Sequence, residues 1–155
     1  MVKLIKPKRG QAIIEFAFIL PLLAILIVGI IDFSILFYDK AVITNASREG
    51  ARQGSIFRSN ASTGAYEPLD STGVSNAVNA YLAGRLVNFG AAAPSTIVHW
   101  STTSPPGIWS TTINTLPGGS IDVVVTYSYT FLALPRFAGW GNILNISAQT
   151  IMRME

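Results

Sequence analysis

The sequence predicts an α+β chain in which one long N-terminal helix packs on a small antiparallel sheet, with a second short helix between them. Three observations predict it. An apolar run with no charge occupies Phe16 to Ile31, a 3.6-residue apolar period follows Thr72, and two segments near the C-terminus alternate apolar and polar residues. The run is extended by Ala12, Ile13 and Ile14 before it and by Phe33 to Tyr38 after it. As a helix it is long enough to span ~30 Å of hydrocarbon, and we expect a transmembrane segment at about 12–38. Nothing breaks the helix between Asp32 and Phe57, and Ile35, Tyr38, Val42, Ala46 and Gly50 recur along one side. The expected helix therefore covers 11–57, with 39–57 as an extension outside the membrane. From residue 12 onward that is ~70 Å at 1.5 Å per residue, a rod suited to act as a polymer spine. Ala46, Gly50 and Gly54 repeat every fourth position. Such a stripe lets another backbone approach closely, either a neighbouring helix or the chain's own sheet.

The remainder, 58–155, is expected to be one α+β domain outside the membrane. Ser59 to Thr72 is rich in Ser, Asn, Gly and Thr, contains Pro68, and reads as a loop. Ser71 or Thr72 is a candidate cap for the second helix, whose apolar positions Val74, Ala77, Val78, Tyr81, Leu82 and Leu86 fit the period, with a stop near Gly90. Ile97 to Thr102 is a short strand candidate, followed by an irregular loop from Ser104 to Gly119 with Pro105, Pro106 and Pro117. From Ile121 to Phe131 odd-numbered positions are apolar and even ones mostly polar, so one face is buried and the other largely wet. After a turn around Pro135 and Gly139 to Gly141, Leu144 to Met154 alternates in the same way. The extramembrane half of the long helix is the expected cover for the sheet so formed.

Half of the 155 residues are hydrophobic, 12% are charged, and the mean hydropathy is +0.44, which points to lipid or to a polymer interior. The pI near 9.5 is misleading. Four of the eleven basic residues, Lys3, Lys6, Lys8 and Arg9, lie in the first ten, which leaves seven against eight acidic ones in the body. A nucleic-acid partner is not expected, because such binders carry their cations on the folded surface. The same asymmetry puts the N-terminus in the cytoplasm and the rest outside, since Asp39 and Lys40 cancel on the far side of the apolar run. A removable secretory signal has the same charge order, but this run is too long, begins with an acid, and lacks a small-residue cleavage site at its end.

Glu15 stands where the chain should enter lipid, and an ionised carboxylate there costs ~2.5 kcal/mol or more. Cleavage between Gly10 and Gln11 would make Glu15 the fifth residue of a chain with a free cationic amine, and that amine on a neighbouring subunit could pair with it. The other reading is a carboxylate that snorkels to water at the headgroup boundary. Pro21 removes one helical donor, so a kink or local loosening is expected there. Asp32, at the far end of the run, reads as an acid snorkelling to the outer interface.

The order and spacing of Arg9-Gly10-Gln11-Ala12-Ile13-Ile14-Glu15-Phe16, Leu20-Pro21-Leu22-Leu23, Gly29-Ile30-Ile31-Asp32-Phe33 and Thr44-Asn45-Ala46-Ser47-Arg48-Glu49-Gly50-Ala51-Arg52 resemble the TadE-like family of minor pilins or pseudopilins. The resemblance covers about a third of the chain, with a weaker likeness in the closing Ala148, Met152-Arg153 and Glu155. It implies a pilin-like fold, insertion in the bacterial inner membrane, removal of the 1–10 leader by an aspartic-type prepilin peptidase, and a part in a tight-adherence (Flp) type IV pilus. Gly10 and Gln11 become the cleavage pair, and Glu15 with Phe16 beside it the assembly site. The implied partners are other pilin subunits, the peptidase, the assembly platform in the inner membrane and the bilayer itself. Asp32 departs from the family, where Glu is more usual. The middle, 58–120, carries no resemblance.

No cofactor, metal site or catalytic set is expected. His99 is the single histidine, cysteine is absent, and beyond the helix only Glu67, Asp70, Asp122 and Glu155 are acidic. His99 reads as a surface or hydrogen-bonded strand residue. Trp100, Trp109 and Trp140 read as core aromatics, or else as contacts of a binding surface. That second reading belongs to the competing function, a membrane-anchored adhesin with an uncleaved N-terminal anchor.

Overall fold

The computed structural model describes residues 9–60, 64–87, 89, 92–102, 106–113, 117–132 and 143–155, with side chains from residue 12 onward. The expected leader apart from its last two residues, the turn around Pro135 and Gly139 to Gly141, Pro105 and Trp140 lie outside the described residues. The element order is α1 (Arg9–Ser55), β1 (Arg58–Ser59), β2 (Tyr66–Glu67), α2 (Ser71–Leu82), β3 (Ser95–Ser101), β4 (Ser120–Thr130) and β5 (Ile143–Arg153). The α+β class and the long helix on a small antiparallel sheet are as the sequence predicts.

The helix α1 runs unbroken through Pro21 for 47 residues. Its two halves meet different surroundings. From Ala12 to Ile27 every side chain is exposed, whereas from Asp32 onward one face is buried. That face is Asp32, Leu36, Asp39, Ile43, Ala46 with Ser47, Gly50 and Gly54, a stripe at the 3.6-residue period. Tyr38, expected on the stripe, is instead exposed. The two acids hold the places that an apolar reading would assign to neighbours.

The three-stranded sheet has order β3-β4-β5, all antiparallel, with Tyr127 opposite Ile146 and Trp100 opposite Ile121. Its inner face supplies Val98, Trp100, Ile121, Val123, Val125 and Tyr127 to the core, packed under α1 and α2. The outer face is less wet than the alternation suggests. Asp122 is buried there, and Gln149, two residue pairs along on β5, donates to its Oδ2 at 2.8 Å.

Three expected details change. The cap of α2 is Asp70 rather than Ser71 or Thr72, its Oδ1 accepting from the Gly73 amide at 2.7 Å while its carbonyl starts the helical ladder at Val74. That helix stops at Leu82, well before Gly90, because the chain turns into the left-handed region at Gly84 (φ +71°), which glycine adopts without strain. Within the expected loop at 59–72, β1 and β2 pair as a minimal hairpin closed by Asn60 and Gly64.

Candidate assembly surface of the long helix

The sequence singles out two groups of residues on α1, and the structure sends them to opposite fates. Gly10 and Gln11 lie in the first turn of the helix. Glu15 and Phe16 sit on its bare half, side chains exposed, between Ile14 and Ala17. Ala46, Gly50 and Gly54, by contrast, are buried inside the subunit. A Cβ on Gly50 would stand 2.5 Å from Val78 Cγ2 and 3.3 Å from Val123 Cγ1, and one on Gly54 would fall on Ile121 and 2.8 Å from Val74 Cγ2. The close approach made by the small residues is therefore with the chain's own α2 and sheet.

Two buried carboxylates fix the head to the helix: Asp32, expected to snorkel to the outer interface, and Asp39, expected only to cancel the charge of Lys40. Asp32 is fully buried: its Oδ1 accepts from the Leu132 amide at 3.1 Å, and its carbonyl accepts from the Tyr129 hydroxyl at 3.1 Å. Asp39, two turns on, is also fully buried and accepts from the Val87 amide at 3.0 Å. Burial pushes the Asp39 carboxyl up, with the Val87 amide opposing. Burial also raises the Tyr129 hydroxyl, to about 12, reinforced by the charges of Asp32 and Asp39. The expected snorkelling of Asp32 fails because a hydrogen-bonding partner from the β4 end reaches it before water does. The available signal was the spacing of seven between the acids, which puts both on the face of Leu36 and Ile43.

Around these anchors the remaining polar contacts are side-on. Lys40 donates to the Ser147 carbonyl of β5, and Ser47 shares a hydrogen bond with Thr150 at 2.7 Å. Glu49 faces outward, where the Arg52 guanidinium (2.9 and 2.7 Å) and then the Gln53 amide hold its carboxyl down to about 2. Gln53 in turn accepts from Arg58 at the start of the hairpin. Trp100 is core, Trp109 is half-buried, and His99 is half-buried with Nδ1 3.7 Å from Asp122 Oδ2. Among the described residues no group of three His, Asp or Glu side chains is placed to hold a metal ion.

The stretch with this divided character is also the one with recognisable kin. The family model described as TadE-like protein matches residues 10–52. Over residues 10–52 the chain is similar to the TadE-like family. The match begins at Gly10, runs through the bare half, and ends in the Glu49–Arg52 pair. No curated protein and no solved structure matches the chain. Within the segment similar to that family the bare half is long and apolar enough to cross a membrane, and almost none of it is buried in the fold, so α1 has the length, composition and exposure of a membrane anchor. A core helix of a soluble protein would have its apolar surface covered.

Proposed function

We propose that this chain is a minor pilin-type structural subunit of a tight-adherence (Flp) pilus, made as a membrane-anchored precursor and clipped between Gly10 and Gln11 by a prepilin peptidase. The observation that carries the proposal is the division of one TadE-like helix into a half consumed by its own head and a half left bare. Because Ala46, Gly50 and Gly54 are spent internally, contacts between subunits fall to the bare half and to the outside of the head.

The head grips the helix from Asp32 onward, so the lipid-facing span is 12–31. Its twenty residues measure ~30 Å, the thickness of the hydrocarbon core. The cationic first ten residues hold the N-terminus in the cytoplasm, and the head lies on the outer side of the inner membrane. After clipping, the new amine of Gln11 lies about one turn from Glu15, and each subunit offers one cation and one carboxylate to its neighbours in the polymer. Pairing offsets the cost of holding either charge in an apolar spine. The chain performs no chemistry itself: its partners are other pilin subunits, the peptidase, the assembly platform and the bilayer.

N-terminal sequencing of the protein recovered from cells that express a cognate prepilin peptidase tests the proposal. A mature chain beginning at Gln11 is expected. An intact leader refutes processing and leaves the alternative, an adhesin held by a permanent anchor.

A further inference from the structure

The exposed surface of α1 carries no charge from Phe16 to Tyr38, because Asp32, the one acid in that interval, is buried; Asp39 just beyond it is buried as well, and the next exposed charge is Lys40. Phe16 to Tyr38 is 23 residues, ~35 Å of helix, about 5 Å more than the hydrocarbon core needs. The surplus lies beside the head. There Phe33 packs edge-on against Phe131 (6.4 Å between ring centres), and the Leu132 amide is tied to Asp32, so the end of β4 is fixed at the level where the helix emerges. Antiparallel pairing of Thr130 with Ile143 brings the start of β5 to the same level. The exposed side chains described at this rim are mostly apolar, with Ser34 and Asn145 the polar ones beside Phe33 (51%), Phe37 (66%), Leu132 (49%), Ile143 (65%) and Leu144 (42%). Between Asp122 and Arg153 the sequence has one charged residue, Arg136.

We propose that this rim is a second lipid contact: the head is seated in the headgroup layer of the bilayer, with Phe33, Phe37, Leu132, Ile143 and Leu144 at the interface. The inference rests on the anchoring of α1 in a membrane and goes beyond it, since a tethered head need not touch the surface. Continuity decides the occupant. Among the described residues the rim joins the lipid-facing helix with no exposed charge between them, and a headgroup layer some 5–7 Å deep on each side takes up the surplus length with the aromatic side chains at the depth they favour. A rim facing bulk water would instead leave a contiguous apolar patch uncovered.

The chain contains no cysteine, so one engineered cysteine can report on one position at a time. The full chain is reconstituted in vesicles of phosphatidylcholine and phosphatidylglycerol, labelled with an environment-sensitive fluorophore, and quenched by nitroxides carried on the headgroup or at mid-acyl depth. Leu132→Cys and Ile143→Cys, each at an exposed site, are expected to be quenched by the headgroup nitroxide at least about twofold above Ile108→Cys, which lies in the loop at the opposite end of the sheet. Leu23→Cys reports on the anchor through the mid-acyl nitroxide. Quenching at Leu23→Cys with both rim positions at the Ile108→Cys level overturns the seating and leaves the anchor standing. Blue-shifted but unquenched rim labels show protein, such as a second copy, covering the rim, and also overturn it. Absence of quenching at Leu23→Cys removes the anchor and the seating together.

Discussion

Gly50→Ala sets two known effects against each other, and the structure says which wins. Alanine in a helix interior is favoured over glycine by about 1 kcal/mol. The added methyl, however, stands 2.5 Å from Val78 Cγ2 and 3.3 Å from Val123 Cγ1, both on β-branched side chains that cannot rotate away cheaply. Overpacking of that kind costs about 1–3 kcal/mol, so a net loss of about 1 kcal/mol is expected, a fall of ~4 °C in the melting temperature of the head. Val78→Ala alone removes two buried methyls and costs about 2 kcal/mol. In that background the 2.5 Å clash is gone, the methyl at position 50 can shift into the space that Val78 vacated and so ease its 3.3 Å contact with Val123 Cγ1, and the propensity term dominates. Gly50→Ala should then stabilise, by about 1 kcal/mol. The assay is thermal unfolding of the four proteins in detergent micelles, followed by near-ultraviolet circular dichroism of the packed aromatic residues. The reversal of sign is the signature. If Gly50→Ala raises the melting temperature in the wild-type background, or lowers it equally in both, the stripe is not a contact between α1 and α2, and its assignment to the chain's own core fails.

Further outcomes follow from the polar anchors. Tyr129 ionises at about 12, above the ordinary 10, so its contribution is complete below pH 10 and lost as pH rises towards 12. Tyr129→Phe should remove the late tyrosinate absorbance step in an alkaline titration. The raised Asp39 carboxyl means that folding weakens as pH rises through its folded pKa. Asp39→Asn should therefore melt higher than wild type at pH 7 with the gain shrinking towards pH 4, and a lower melting temperature at pH 7 would contradict the dominance of burial. Gln149→Ala leaves the buried Asp122 without its 2.8 Å donor and should cost about 1–3 kcal/mol in chemical denaturation, whereas Gln149→Ala combined with Asp122→Ala should recover most of it. Glu15→Leu should leave insertion and head stability unchanged but abolish recovery of the subunit in sheared pili. Normal recovery would remove the electrostatic part of the assembly proposal.

How much could be read beforehand depended on where each residue's partner lay. The bare half of α1 was legible because it answers only to solvent, and hydropathy describes that. Alternation along β4 and β5 was legible because the period of two is local, and it foretold Val123, Val125 and Tyr127 at the core. Asp32 was misjudged, and the burial of Asp39 went unforeseen, because the amides that bind them come from Leu132 and Val87, far away in the chain. An acid with no visible partner is naturally assigned to water. The same holds for Asp122, whose donor Gln149 lies in another strand. The end of α2 was overestimated because apolar spacing continued to Leu86, while Gly84 had already turned the chain. In the candidate site, Gly50 and Gly54 were recognised as points of close approach, but their spacing is equally suited to a foreign helix, and only the position of Val74 and Val78 decides.

The unbroken helix has a mechanical consequence. Between the lipid-facing span and the deepest part of the head there is no joint at which the rod can swivel, and the hooks at Asp32 and Asp39 lie seven residues apart on one side of it. Axial load on the head therefore passes directly into the buried half of α1, and twist is resisted by both hooks. If the subunit is assembled as proposed, lifting the head would draw the greasy half out of the bilayer along with it, over a distance set by the length of that half.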